Sequence, residues 1–468
     1  MIRSINRVKK NRTLNIKHYC TLRSGNNDDK RLYSGKVFNV IGIETSCDDT
    51  SIGIVNSEGK ILGEYSKSQW SLHREHNGIV PIIAYDAHRN EIDNAIEQTL
   101  SKACMKMSDI DVVAVTTGPG MGKSLEVGLN KAKELVREYN KPFCSVNHME
   151  GHSLVVRMED QSIEFPFLTV LVSGGHSQIL ICNGISNYQL IGNTLDDSIG
   201  EALDKAARIL GCPYGQVWDG KSLIENVHGG QAIEILASKG DVNSYHFSLP
   251  MKGSNNCDFS FSGLKSSLKR LVNEIKTSST STSTFTPITN ASPIEKTQSL
   301  SFIDQCNLAA SFQNIAFNHL EHRIKKSLDW YYNLKPQNKK KKESQSTNAT
   351  DTSNETNRVP LKGIVVSGGV SKNKELRKRL DNIGNHYKLP IYFPRPELCN
   401  DNGTMIAWAG VEMFKKGMIE ENPEKVIYLP TWPLDLNPKQ IFVSNLKEKD
   451  KQIRKNWYND TINKYGKK

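Results

Sequence analysis

"FPFLTVLVSGGHSQILIC", residues 165 to 182, is an apolar run, a polar turn and a second apolar run. The length of each run and its Val/Ile/Leu content read as two buried strands around a tight turn. The same design stands earlier in the chain. "VFNVIGIETSC" opens at Val37, and "DTSIGIVNSEGKILGEY" (49 to 65) continues as two strands around a Ser-Glu-Gly turn. A further apolar strand, "KGIVVSGG" (362 to 369), runs into the helical pattern "KNKELRKRL". Two similar strand-turn-strand units, each followed by helices, predict a duplicated α/β fold of two lobes with a central cleft. Ligands of such sheets bind at the strand ends, where these polar and Gly-rich turns lie.

Composition sets the bounds. A chain of 468 residues has room for two or three domains, and shares of 37% hydrophobic and 24% charged residues describe a soluble globular protein. No apolar run approaches the roughly 18 residues of a membrane helix, so no membrane partner is expected. The nine cysteines are scattered without a C-x-x-C pair, which points to reduced thiols inside a cell. The net charge of +11 is unevenly placed: Arg3, Arg7, Lys9, Lys10, Arg12, Lys17 and Arg23 all precede the first acid, Asp28. Residues 1–35 therefore read as a mitochondrial transit peptide. Two low-complexity segments, 276–299 and 335–357, cannot bury enough apolar surface to order and are expected to be surface loops; residues 436–468 form a basic tail. The Lys run at 339–342 reads as solvated.

Several motifs carry chemistry. In "NHMEGHS" (147 to 153), His148 and His152 are four apart and share a helix face, so both imidazoles can reach one ion. Zinc proteases place a glutamate directly after the first histidine; here Glu150 stands two residues on, about 200° round the helix, and points away. A plain surface helix would show the same spacing. "RPELCNDNGTMIAWAG" (395 to 410) places Asp401 in a turn before an apolar helix. Two histidines and one carboxylate suit Fe(II) or Zn(II), although an Asp beside Asn-Gly also serves as a simple turn or cap. "GPGMGKS" resembles a phosphate-binding P-loop but is one residue short, Thr117 standing where the first glycine belongs. "LVSGGHS" (171 to 177) and "VVSGGVSKN" (365 to 373) are paired Ser-Gly-Gly turns that allow close backbone approach to an anionic group. "TLDDSIGEALDKAARILG" is an amphipathic helix with Ile199, Leu203, Ala206 and Leu210 on one face, and Asp204 and Lys205 read as solvated charges.

Taken in order, "GIETSCDDTSIGIV", "GIVPIIAYDAHR", "TTGPGMGKSLEVG", "NHMEGH", "LVSGGHS", "DDSIGEALDKAAR", "NCDFSFSGLK", "VSGGVSKN" and "CNDNGTMIAWAG" resemble the tRNA N6-adenosine threonylcarbamoyltransferase family (TsaD-like, formerly called glycoprotease), and its mitochondrial branch in particular, over residues 38 to 430. The resemblance implies an actin/hexokinase/Hsp70-like (ASKHA) fold, here divided into lobes 36–160 and 161–435. It implies one divalent metal ion per subunit, Fe or Zn, on His148, His152 and Asp401. Substrate contacts carry over to Leu171, Val172, Ser173, Gly174, Gly175, Asp204, Gly230 and Asn373. The chain departs from the family in three places. An apparent insertion precedes His228-Gly229-Gly230, Asp49 replaces a usual glutamate, and Arg74-Glu75-His76-Asn77-Gly78 replaces a glycine pair. The implied reaction moves a threonylcarbamoyl group from threonylcarbamoyl-adenylate, made by a separate synthase, to the adenosine 3′ of certain tRNA anticodons. A mitochondrial-matrix homodimer is the implied setting. No general base is assigned; Asp48, Asp49 and His176 are candidates. A metallopeptidase, an ATPase or sugar kinase of the same fold, and a non-enzymatic scaffold of a tRNA-modification complex are the rival readings.

Overall fold

The computed structural model describes residues 36–76, 78–278, 300–333 and 358–436. The leader, the segment 335–357, nearly all of the tail and most of the segment 276–299 lie outside them. Residues 276–278 are the end of a helix rather than the start of a loop.

Two five-stranded sheets repeat one plan. The first is ordered β3-β2-β1-β4-β5, from β1 (Asn39–Glu44), β2 (Asp49–Asn56), β3 (Ile61–Ser68), β4 (Val112–Gly118) and β5 (Phe143–Asn147). The second is ordered β12-β11-β6-β7-β8, from β6 (Phe167–Val172), β7 (Ser177–Gly184), β8 (Asn187–Asn193), β11 (Ile364–Ser367) and β12 (Ile391–Tyr392). In each sheet three antiparallel strands form a meander, and the first of them pairs on its other edge with a parallel strand, β1 with β4 and β6 with β11. A second parallel strand completes each sheet. This is the duplicated ASKHA fold. A hairpin of β9 (Gln216–Trp218) and β10 (Leu223–Glu225) stands apart from both sheets.

Alternation along the strands sorts the core into layers. Ile41, Ile43, Ile52 and Ile54 face helices α1 (Pro81–Lys102) and α2 (Gly122–Tyr139). Val40, Val55, Ala114 and Val146 turn the other way, into a layer shared with Leu171, Leu180 and Val365 of the second sheet. Helices α3 (His148–Leu154) and α9 (Gly403–Lys415) fill that layer. Leu168, Val170 and Val172 face the helices of the second lobe: α4 (Ile199–Ile209), α5 (Gly229–Ala237), α6 (Ser262–Ser278), α7 (Phe302–Tyr331) and α8 (Lys374–Tyr387). The α4 face read from sequence is buried, with Ile199, Leu203, Ala206 and Leu210 at most 1% exposed.

Residues placed with the second lobe by a division at 161 return to the first. Helix α9 packs on β1, β2 and β4. Its approach is so close that a Cβ on Gly53 would lie 2.4 Å from Thr404 N, and one on Gly42 2.2 Å from Ala407 N. Beyond α9, Glu420 N donates to Phe143 O (2.9 Å) and Leu429 N to Thr117 O (2.7 Å).

A candidate metal centre between the lobes

Helix α3 begins where β5 ends because Asn147 caps it, its Oδ1 accepting from Met149 N at 2.9 Å. His148 and His152 are then one turn apart on the face toward α9. Asn402 performs the capping at the start of α9, accepting from Met405 N at 2.7 Å, which leaves the Asp401 carboxylate to face the histidines. Asp401 Oδ1 lies 3.3 Å from His148 Nε2 and 3.0 Å from His152 Nε2. One donor atom from each residue falls within 4.8 Å of the other two. His148 and His152 are 6% and 1% exposed, so the surface-helix reading fails, while the Asp401 side chain keeps 29% of its surface open.

The sequence reading missed Glu44, at the end of β1. Its Oε2 accepts from His148 Nδ1 (2.9 Å) and Thr116 Oγ1 (2.5 Å), and its Oε1 accepts from Ser46 N (2.6 Å). A carboxylate behind one imidazole nitrogen fixes the ring so that the other faces a cation. The electrostatics agree. Burial opposes a charged His148, but the Asp401 and Glu44 carboxylates override it and hold the imidazole well above its usual range. Burial likewise opposes the Asp401 carboxylate, and His148 reverses this and holds it well below the usual range. The pocket therefore stabilises positive charge at the point where three donors meet, which is what a divalent ion requires.

Glu150 faces elsewhere. Its carboxylate accepts from Ser186 N (2.5 Å) and Ser186 Oγ (3.0 Å), and burial pushes it up to about 7. The arrangement of a zinc protease is absent here. The P-loop look-alike is also spoken for, since Gly120 N donates to Pro430 O and Met121 N to Ser46 O.

Around the centre stand the turns of both lobes. Leu171 and Val172 are buried ends of β6, followed by Ser173 and the exposed Gly174 and Gly175. Gly368, in the matching turn after β11, has φ +99°, and a Cβ there would lie 2.5 Å from Val172 O. The two Ser-Gly-Gly turns are thus neighbours on one sheet edge. Burial, and then the His148 charge, pushes His176 down to about 4, so this ring is neutral beside the centre. From the first lobe, burial together with Asp48 and Asp401 raises Asp49 to about 7.

Asp204 is not the solvated charge its helix suggests. Its Oδ1 accepts from Gly230 N at 2.9 Å, and burial raises it to about 6. Lys205 is not freely solvated either, since it is held in ion pairs with Asp197 (2.7 Å) and Glu201 (2.7 Å). Asn373 caps α8 through Glu375 N and Leu376 N and donates to Gln313 Oε1 (2.9 Å), so its side chain is committed within the fold.

Comparison with known proteins identifies the family. Residues 60–408 match the family model TsaD, tRNA N6-adenosine threonylcarbamoyltransferase. The chain is 36% identical over 402 residues to a probable mitochondrial tRNA N6-adenosine threonylcarbamoyltransferase of Arabidopsis thaliana, covering 84% of this chain and 74% of that one. It is 35% identical over 409 residues to the tRNA N6-adenosine threonylcarbamoyltransferase of Brucella ovis, covering 86% and 97%. Among solved structures, full-length HypF in its phosphate- and nucleotide-bound form aligns at a TM-score of 0.46 and 12% identity, over 81% of this chain and 56% of that one. The chain belongs to the tRNA N6-adenosine threonylcarbamoyltransferase family and is a transferase.

Proposed function

We propose that this chain transfers the threonylcarbamoyl group from threonylcarbamoyl-adenylate to N6 of the adenosine 3′ of the anticodon, in mitochondrial tRNAs reading ANN codons, with release of AMP. The observation that carries the reading is the His148/His152/Asp401 cluster, set in the cleft beside two Ser-Gly-Gly turns. The donor is a mixed anhydride, so the N6 amine attacks the carbamoyl carbon, the bond to the AMP oxygen breaks, and no ATP is spent. An iron or zinc ion held by His148, His152 and Asp401 would supply Lewis acidity toward the carbonyl. Backbone N–H groups of the turns at 173–175 and 368–369 suit the adenylate phosphate. Of the remaining residues, Gly230 is the proposed contact, while the buried Leu171, Val172 and Asn373 position the turns and Asp204 holds the Gly230 backbone in place. The proton leaving N6 needs an acceptor, for which Asp48, Asp49 and His176 are the candidates.

The leader's composition and the likeness to a mitochondrial plant protein favour the matrix, with a homodimer supplied by a separate synthase. Purified protein incubated with threonylcarbamoyl-adenylate and unmodified tRNA should yield threonylcarbamoyladenosine by nucleoside mass spectrometry. Metal-loaded, folded protein that leaves the tRNA unmodified would overturn the reading.

A further inference from the structure

The stretch "GIVPIIAYDAHR" (78 to 89) opens α1 and belongs neither to the metal cluster nor to the Ser-Gly-Gly turns. Its His88 is fully buried, yet both ring nitrogens are engaged. His88 Nε2 donates to Cys47 O at 2.9 Å, and Nδ1 takes the Thr50 hydroxyl at 2.8 Å. A carbonyl can only accept, so the ring proton sits on Nε2 and Nδ1 is the acceptor. Burial pushes His88 below its usual range, in keeping with a neutral ring.

One imidazole therefore bridges the two sides of the turn between β1 and β2. Three consecutive carbonyls of that turn each meet a donor from a different element. Ser46 O accepts from Met121 N (2.8 Å) ahead of α2, Cys47 O from His88 on α1, and Asp48 O from Gln69 N (3.1 Å) just beyond β3. Of these three donors only His88 is a side chain. Ser46 Oγ lies 3.2 Å from His148 Nδ1, so the turn stands against the cluster. It carries Asp48 and leads directly into Asp49, the first residue of β2. Burial first, and then among others the Asp401 charge, raises both carboxyls, so both lie within the field of the centre.

We propose that His88 is a positioning residue for the transfer step: by bridging Cys47 O and Thr50 Oγ1 it fixes the turn that presents Asp48 and Asp49 to the centre as acceptors of the N6 proton. This rests on the function proposed above. A base acts only within hydrogen-bond reach of the proton it takes, and a misplacement of about 1 Å costs on the order of 100-fold in rate. Two carboxylates at one short turn share any such displacement. A ring that only filled core space would need no particular nitrogen at either position.

Transfer kinetics beside hydrogen exchange test this. His88→Leu removes both bonds, and kcat should fall on the order of 100-fold while the KM for donor, the KM for tRNA and the metal content stay unchanged. His88→Gln offers one acceptor and one donor in a single amide and should restore most of the rate. Thr50→Val removes only the hydroxyl and should lower kcat in the same way by a smaller factor; it carries the test should His88→Leu fail to fold. Exchange reads the turn whether or not transfer occurs. The Gln69 amide, bonded to Asp48 O, should exchange faster in His88→Leu and Thr50→Val than in wild type. Wild-type kcat in folded His88→Leu or Thr50→Val, or equal losses in His88→Gln and His88→Leu, would overturn the proposal. So would a loss of metal that accounts for the lost rate, which would assign His88 to the ion. A wild-type protein with this exchange pattern that never modifies tRNA would support the hold on the turn and defeat the proposed reaction alone.

Discussion

Glu44 shows how far a single residue reaches. It lies 104 positions before His148, yet it sets that ring's orientation. Glu44→Gln keeps the shape but removes the charge behind the imidazole, and metal affinity should fall about 10- to 100-fold by titration against a chelator. His148→Ala and His152→Ala should lose most bound metal outright, whereas Glu150→Gln, turned toward Ser186, should keep it. Full metal occupancy in both histidine variants would remove the metal centre from the account. Asp204 yields a prediction about pH. Its folded value of about 6 lies above the ordinary 3.8, so the native state binds the extra proton and stability falls as pH rises through that window. Asp204→Asn keeps an acceptor for Gly230 N and should flatten this loss, gaining on the order of 2 kcal/mol over wild type at pH 7 relative to pH 4 in urea titrations. Parallel curves for the two proteins would show that Asp204 does not titrate with folding.

Among the elements, α9 does most to assemble the centre, and it does so by backbone contact. Gly53 and Gly403 lie against one another, a Cβ on Gly403 falling 2.4 Å from Gly53 N. Gly53→Ala must push the helix off β2, at a cost of about 3 kcal/mol. Asp401 precedes the helix and moves with it, so metal content should drop together with the unfolding midpoint; a destabilised variant with full metal would separate the two. How much could be read beforehand follows from the same geometry. The strand-turn-strand repeat and the His148/His152 pair are local patterns, and the sequence displays them. Asp401 was placed by its turn and the apolar run behind it, and its part in the ligand set followed from the family resemblance. Glu44 was hidden because an acid in "NVIGIE" gives no sign of the helix it will meet, although a lone carboxylate in an apolar strand was a signal to follow. Asp204 was misread because its partner, Gly230, lies 26 positions on, beyond the β9–β10 hairpin. Nothing local announces that α9 belongs to the first sheet.

For the whole molecule, that return of the chain has a consequence in time. Gly403 N donates to Ser51 Oγ at 2.9 Å across 352 positions. A chain that emerges with its N-terminus first, from a ribosome or a translocation pore, therefore carries β1, β2 and β4 with one apolar face bare until α9 has followed. The two histidines arrive early and the carboxylate late, so the cluster is completed by the same event that closes the first lobe. Such a long wait exposes the early chain to wrong partners and calls for a chaperone's protection. A fragment ending at residue 400 retains every strand of both sheets, yet it should bind a hydrophobic dye and aggregate on dilution from denaturant. A monomeric, dye-silent fragment would show that the lobe closes without its last helix. The strand made first thus gains its covering helix only near the end of the chain.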